Sequence, residues 1–526
     1  MSAEPTKLGL VSLGCDKNTV DSERMLAAML GHGAERVTDL EEADVILVNT
    51  CGFIDAAKEE SIETLLEAGR LKRDGRCQSV VAVGCMVERY RDELAPALPE
   101  IDLFLGLKDL DRLVPELVER GLLSADRVAG APHPGERTPL GSPHVRYMKV
   151  SEGCNHGCAF CAIPIWRGRH RSFDLERLVA EAQRLEAQGV VEVNLVAQDL
   201  AHYGRDLHDG TDIATLVEAL LRETAIPWFR LLYIYSAGLR EPLVELMATE
   251  PRLLSYIDMP IQHASDGVLE RMRRPERART LREKVSWLRE SIDDLTLRTT
   301  VLVGFPGETD AEFRELVDFL DEAPFDRLGA FAFSPQDGTR AADMEESFVS
   351  GDVARDRLEE VLEVQRAVSR ERMAAEIGET RTAIVDGPAT ADDPVVADLY
   401  GDDLASGTPD ADAPDDLAPG TPASVVLGRV AAQADDVDGL TVILGSDELA
   451  VGELAAGTLV EVSIERAGDF DLGARIERIV RPVAPAVAAA PALSAVAPAV
   501  AAAPALSAGA PGRALPVLGL ETAWGK

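Results

Sequence analysis

Apolar and polar positions along the first 120 residues fall into two alternating periods. Short apolar runs at Leu8 to Leu13, Val45 to Val48, Val80 to Val83 and Ile101 to Leu105 have the length of buried strands. The stretches Asp21 to Gly31, Ala56 to Leu71, Glu88 to Leu94 and Leu110 to Gly121 carry the amphipathic spacing of helices. Strands alternating with helices predict an α/β domain, a parallel sheet covered on both faces. After a Pro/Gly-rich stretch, Gly130 to Pro143, the alternation resumes with strands at Tyr147 to Val150, Val190 to Ala197, Phe229 to Tyr235, Tyr256 to Ile261, Arg298 to Phe305 and Arg327 to Phe333. Six strand-helix units predict a partial (β/α)6 barrel, whose opening admits a large substrate. One helix is signalled in detail: Asp174 is placed to cap it, and Leu175, Leu178, Val179, Ala182 and Leu185 share a face before Gly189 ends it.

From about Arg381 the pattern changes to short strands, at Thr382 to Val385, Ser424 to Val430, Leu440 to Leu444, Leu459 to Ile464 and Ala474 to Val480. These predict a small antiparallel β-barrel of the kind that binds macromolecules. Residues 386–422, rich in Asp, Pro and Ala, read as a solvated acidic insertion within it. The expected division is 7–125 for the first sheet domain, 126–143 for a linker, 144–376 for the partial barrel, 377–482 for the small barrel and 483–526 for a tail. Between Arg481 and Arg513 the chain carries no charge, a length that invites a membrane test. The segment is mostly alanine, is broken by Pro482, Pro485, Pro491, Pro498, Pro504 and Pro511, and repeats Ala484 to Ala495 as Ala497 to Ala508. It reads as a disordered Pro/Ala tail, and no membrane span is expected.

Charge narrows the partners. A net charge of -38 over 526 residues repels phosphates and favours a basic protein, so an RNA substrate would need a local basic patch. The first ten residues carry Glu4 and Lys7 and lack the apolar core of a secretory signal, which predicts a reducing, cytoplasmic setting.

In such a setting clustered cysteines imply metal or catalysis. The loop Cys154-Asn155-His156-Gly157-Cys158-Ala159-Phe160-Cys161 spaces three thiols so that they can hold three irons of a four-iron cluster and leave one iron open for chemistry. Zinc is the alternative, but its fourth ligand would be His156, which would have to bend back onto a metal held by its neighbours. A disulfide fits a reducing compartment less well. Cys15, Cys51 and Cys85 each stand just past one of the first three predicted strands, where loops at the carboxyl edge of a parallel sheet converge. They are read as a second three-cysteine site rather than ordinary buried cysteines, each with a glycine beside it (Gly14, Gly52, Gly84). Cys77 precedes its strand and belongs at the opposite edge, as a spectator.

The Cys154 to Cys161 loop after the first strand of a partial barrel resembles the radical S-adenosylmethionine superfamily. The whole span from Lys7 to Pro482 resembles the methylthiotransferases within it: a three-cysteine N-terminal domain, a radical domain and a C-terminal TRAM barrel. Ser12-Leu13-Gly14-Cys15-Asp16-Lys17-Asn18, Val20-Asp21-Ser22-Glu23, Asn49-Thr50-Cys51-Gly52-Phe53-Ile54 and Gly428-Arg429 followed by Asp435 to Gly439 look like the branch acting on ribosomal protein S12. Asp16 stands where that pattern leads us to expect proline.

The resemblance implies two [4Fe-4S] clusters, one on Cys154, Cys158 and Cys161 for radical generation and an auxiliary one on Cys15, Cys51 and Cys85. It implies S-adenosylmethionine both as methyl donor and as radical source, with the β-carbon of an aspartate in S12 as the target. An electron donor and a sulfur source are implied partners, and tRNA is disfavoured. Phe160, Gln198, Gln262 and Gly304 are the candidate cofactor contacts, with Asp199, His263 and Phe305-Pro306-Gly307 beside them at strand ends. The rival readings are the same chemistry on a tRNA adenosine, and a non-catalytic iron-sulfur scaffold or redox sensor.

Overall fold

A computed structural model of the chain describes residues 4–128, 136–390, 393–401, 425–446, 449–452 and 454–482. Strands β1 (Thr6–Ser12), β2 (Ala34–Arg36), β3 (Val45–Thr50), β4 (Ser79–Gly84) and β5 (Leu103–Leu105) form a parallel sheet in the order β2-β1-β3-β4-β5. Every residue of β3 and β4 is buried, the outcome that their unbroken apolar runs predict for a sheet covered on both faces. Helices α1 (Asp16–Leu30), α2 (Asp55–Asp74) and α3 (Cys85–Ala97) begin directly after the loops that leave β1, β3 and β4. Ser12 pairs with Asn49 and Thr50 with Gly84, so these three strands end level. β2 has no counterpart in the sequence reading, because Ala34-Glu35-Arg36 is too short and polar to register as an apolar run.

The central domain starts with β6 (Val145–Lys149). A two-residue hairpin follows, β7 (Ser151–Glu152) against β8 (Arg171–Ser172), which brackets the cysteine loop. Then come β9 (Glu192–Val196), β10 (Trp228–Leu231), β11 (Leu253–Asp258), β12 (Thr296–Val303) and β13 (Arg327–Ala332). The six main strands are parallel throughout, in the order β13-β12-β11-β10-β9-β6. Along β12, Arg298, Thr300 and Leu302 are partly exposed while their neighbours are buried, so one face of the curved sheet stays open towards this edge. Asp174 does occupy the position before the helix Leu175–Ala187, but its side chain makes no capping hydrogen bond. Burial of Leu178, Ala182 and Leu185 holds that helix instead.

The C-terminal strands β14 (Thr380–Pro388), β15 (Val425–Val430), β16 (Thr441–Leu444), β17 (Leu459–Ala467) and β18 (Leu472–Arg481) close into a barrel, β14-β15-β16-β18-β17. The expected wholly antiparallel pattern is corrected at one place: β16 and β18 run parallel. A closed ring of five strands cannot alternate direction at every neighbour, so one parallel pair is unavoidable. The acidic insertion also begins in order rather than in solvated disorder. The helix Pro394–Tyr400 buries Val396 and Tyr400 against Val425, Val442 and Leu444. Residues 402–424 of the insertion, 129–135 of the linker and the Pro/Ala tail from 483 lie outside the described residues.

Buried ion pairs join the three parts. Arg137, in the segment read as linker, contacts Glu23 of α1 at 2.5 Å and Glu181 of the central domain at 2.9 Å. Arg429 of β15 contacts Glu192 of β9 and Asp386 of β14, each at 2.8 Å, and Arg230 of β10 shares Glu192 at 2.9 Å. Among the described residues no helix is long and apolar enough to cross a membrane.

Candidate functional site

The level ends of β1, β3 and β4 set Cys15 in the turn before α1, Cys51 one residue past β3, and Cys85 at the first position of α3. The Asn18 side chain ties the loops together, its Nδ2 donating to the carbonyls of Leu13 (3.0 Å) and Thr50 (3.2 Å). Ser61 holds Cys51 from both sides, accepting from its N–H at 3.0 Å and donating to its C=O at 2.9 Å. Gly14 has φ +86, and a Cβ there would lie 2.8 Å from the Sγ of Cys51. A Gly14→Ala variant is therefore expected to displace Cys51 and, on anaerobic reconstitution, to bind less iron and sulfide per chain than wild type. Cys77 is remote from this edge, donating to the carbonyl of Ser79.

The second set lies on the loop between β7 and β8. Gly153 (φ +77) lets the backbone turn against Arg169, and the Cys154 N–H donates to the carbonyl of Gly168. Ala159 is pinned by hydrogen bonds to Met272 and Ala341. His156 turns away from the cysteines: its Nε2 lies 2.7 Å from Asp199 Oδ2, and its ring stacks on Tyr235 with centroids 4.0 Å apart. That engagement commits Nε2 to Asp199 rather than to a metal held by the cysteines.

All seven cysteines are free thiols. Burial pushes Cys51 and Cys161 up to about 12 and Cys154 up to about 11, with neighbouring cysteines adding repulsion, and it raises Cys85 and Cys158 as well. Thiols so disposed stay protonated at neutral pH until a metal displaces the proton. Among the described residues, the one group of three ligand atoms within 4.8 Å of one another is His156, Asp199 and His202. Both cysteine triads are wider than that. Tetrahedral zinc, with bonds of about 2.3 Å, would draw its sulfurs to about 3.8 Å. Three soft thiols at each site, with a glycine at position 14 that leaves room beside Cys51, fit an iron-sulfur cluster.

A buried charge network links the two sets, and no sequence signal announced it. Arg167, six residues beyond Cys161, sends Nη2 to the Sγ of Cys85 (3.4 Å) and to Asn18 Oδ1 (2.6 Å). Its Nη1 contacts Glu152 at 3.0 Å and Asp21 at 3.4 Å. Lys149 bridges the same two carboxylates, Asp21 and Glu152. Burial opposes the charge on Glu152, but Lys149 and Arg167 more than offset it and hold its carboxyl down at about 2. A cavity of about 390 Å³ opens onto this network, lined by Asp21, Glu152, Trp166, Arg167 and Arg169 among others.

The other expected contacts take varied places. Gln198 donates to Glu152 at 3.4 Å, and its Oε1 is buried and accepts no hydrogen bond among the described residues. Phe160 is half-buried against Val268, Met272 and Phe305. Gln262 has φ +70, held there because its N–H donates to Thr300 and its C=O accepts from Leu302. Gly304 (φ +71) faces the helix Gly351–Ala375, and a Cβ would come within 2.6 Å of Ala354. That close packing is reason enough for the glycine. Asp199 is committed to His156 and to the N–H of Ala201. His263 is a packed histidine: it is fully buried, its Nδ1 accepts from the N–H of Ser265, and burial drops it to about 3.

Residues 7–106 match the family described as Uncharacterized protein family UPF0004, and residues 148–320 match the Radical SAM superfamily. The ribosomal protein uS12 methylthiotransferase RimO of Desulforudis audaxviator is 42% identical over 481 residues, covering 90% of this chain and 98% of the relative. The protein of the same name from Anaeromyxobacter sp. (strain K) is 39% identical, covering 93% and 98%. This chain belongs to the RimO family. Its central sheet is thus a radical S-adenosylmethionine domain, and membership makes it a methylthiotransferase whose cofactors include S-adenosylmethionine and a [4Fe-4S] cluster. Solved structures are more distant: the radical S-adenosylmethionine methyltransferase TsrM from Kitasatospora setae has a TM-score of 0.47 at 15% identity, covering 75% of this chain and 80% of that one.

Proposed function

We propose that the chain transfers a methylthio group to the β-carbon of an aspartate in ribosomal protein S12, one S-adenosylmethionine giving the methyl group and another the radical. One observation carries the chemistry. Arg167, at the end of the short helix that follows Cys161, hydrogen-bonds the Sγ of Cys85, so the chain leaving one cysteine set packs directly against the other. When bound, a [4Fe-4S] cluster on Cys154, Cys158 and Cys161 would supply the electron that cleaves S-adenosylmethionine, and a second on Cys15, Cys51 and Cys85 would carry the sulfur. A β-carbon without an acidic proton calls for a radical rather than a side-chain base. Around that chemistry, Arg167 donates to a cysteine sulfur, and Gln198 has a buried carbonyl oxygen that accepts no hydrogen bond among the described residues.

The protein substrate is supported by the uS12 in the relatives' names, by the net charge of -38 and by the small barrel. A tRNA reading calls for a free basic face on that barrel. Arg475 and Arg478 instead make two-point pairs with Glu465 and Glu461, Arg429 is buried, Arg466 donates to Leu399 C=O over the Tyr400 ring, and Arg481 donates to Ala225 C=O. Asp438 is turned to the central domain, accepting from the Tyr256 hydroxyl at 2.7 Å, burial pushes the Asp435 carboxyl up to about 7, and Asp447 and Glu448 lie outside the described residues. Mass spectra of S12 and of tRNA nucleosides from a deletion strain test the assignment. The aspartate modification is expected to vanish with tRNA unchanged; loss of a tRNA methylthio group with S12 still modified would overturn it. Formation of 5′-deoxyadenosine by the reconstituted protein would eliminate the scaffold reading.

A further inference from the structure

Beside Cys15 stand a buried ammonium with no hydrogen-bond partner among the described residues and a largely buried carboxylate with one oxygen unpartnered. Lys17 is 8% exposed, and its ammonium lies 3.5 Å above the centre of the Tyr233 ring. Its ion-pair partner, Asp16 Oδ2, is 3.9 Å away, too far for a hydrogen bond. That same Oδ2 is buried and has no hydrogen-bond partner, while Oδ1 accepts from the Tyr233 hydroxyl at 3.4 Å. Other buried cations near the two cysteine sets differ: Lys149, Arg167 and Arg274 each donate to carboxylates or carbonyls. An aromatic face satisfies an ammonium only in part, and a buried carboxylate oxygen without a donor is costly, so the pair has one donor and one acceptor to offer a ligand.

The surroundings say where that group sits. Tyr233 follows β10 at φ +65, with its N–H bonded to Asp258, and it remains partly exposed, as do Cys15 and Asp16. The start of α1 therefore faces the open side of the central sheet. A group lying there meets one ammonium donor and one carboxylate acceptor about 4 Å apart, next to a cysteine of the set assigned to sulfur. A peptide aspartate presents the complement: a carboxylate for Lys17 and a backbone N–H for Asp16.

We propose that Lys17 and Asp16 read the target residue, Lys17 donating to the side-chain carboxylate of the aspartate and Asp16 accepting a backbone N–H of the substrate loop. This rests on the protein-substrate reading above. It makes Lys17 a specificity determinant, selecting a carboxylate over an amide, and gives Asp16, the residue expected to be proline, a task.

The test uses the reconstituted full-length enzyme with purified S12. Wild type should modify S12 while an S12 carrying asparagine at the target loses at least tenfold in binding, read by anisotropy, and loses turnover. Lys17→Met should raise KM for S12 at least tenfold, with Lys17→Arg recovering part of the loss. Asp16→Pro, allowed at the first position of a helix, should raise KM by less. Equal binding of the aspartate and asparagine forms by wild type, or an unchanged KM in Lys17→Met, overturns this proposal and leaves the methylthiotransferase reading intact. Wild type that fails on S12 but modifies tRNA overturns both.

Discussion

Alanine at Cys85 is expected to stop methylthio transfer while S-adenosylmethionine cleavage to 5′-deoxyadenosine is still detected, whereas alanine at Cys154 is expected to stop both. The asymmetry follows from the separate scaffolding of the two sets. Cys85 opens α3 and is held by Asn18 and Arg167, whereas Cys154 hangs from the β7–β8 loop through Gly168. Losing even an outer partner of a metal ligand costs about 10- to 100-fold, so losing a ligand should lower transfer by more than about 100-fold. Transfer is read by the mass of S12 and cleavage by chromatography of the nucleoside. Equal loss of both activities in the Cys85 variant would mean that the two sets do not divide the work.

What made this arrangement legible in the sequence was local pattern. Unbroken runs such as Val45-Ile46-Leu47-Val48 belong to strands buried on both faces, and cysteines one to three residues beyond such runs have to share the carboxyl edge of a parallel sheet. Helix boundaries drifted: α1 begins at Asp16 rather than Asp21, because the polar turn Asp16-Lys17-Asn18 is helical through contacts with other loops rather than through apolar spacing. The helix Pro394–Tyr400 was hidden for a similar reason, its Val396 and Tyr400 diluted by the acidic residues around them. Arg167, Lys149, Glu152 and Asp21 were illegible as a group. They come from separate segments, and only tertiary packing brings opposite charges into one buried network. The glycines show the converse. Gly304 is legible only as a glycine at a strand end, because its neighbour Ala354 sits 50 residues away on a helix whose approach no local pattern reveals.

The junction beneath the central sheet should be the most fragile point of the fold, and Arg429→Met is expected to destabilise the protein by about 3–5 kcal/mol. Arg429 is 1% exposed and serves Glu192 and Asp386, which lie in different domains. Methionine approximates its volume but leaves two carboxylates facing a single remaining guanidinium, Arg230, which reaches Glu192 alone of the two. Burial pushes the carboxyls of Glu192 and Asp386 up, but Arg429, with Arg230 or His144, more than offsets this and holds both below the usual carboxylate range. The sign follows: with folded values lowered, their contribution is complete above the unfolded value of about 4 and fades as pH falls below it. Wild type should therefore lose stability towards acid at this junction, and Arg429→Met should lose less between neutral and acid pH because much of the pairing is already gone. Thermal unfolding at several pH values reads both effects. Arg478→Ala, which breaks an exposed pair with Glu461 on the same barrel, should leave the Tm at its wild-type value. A triple replacement of Arg429, Glu192 and Asp386 by apolar residues should recover much of what the single change loses, since the cost lies in the stranded charges. If Arg429→Met melts with wild type at every pH, the buried pairs do not hold the barrel to the sheet.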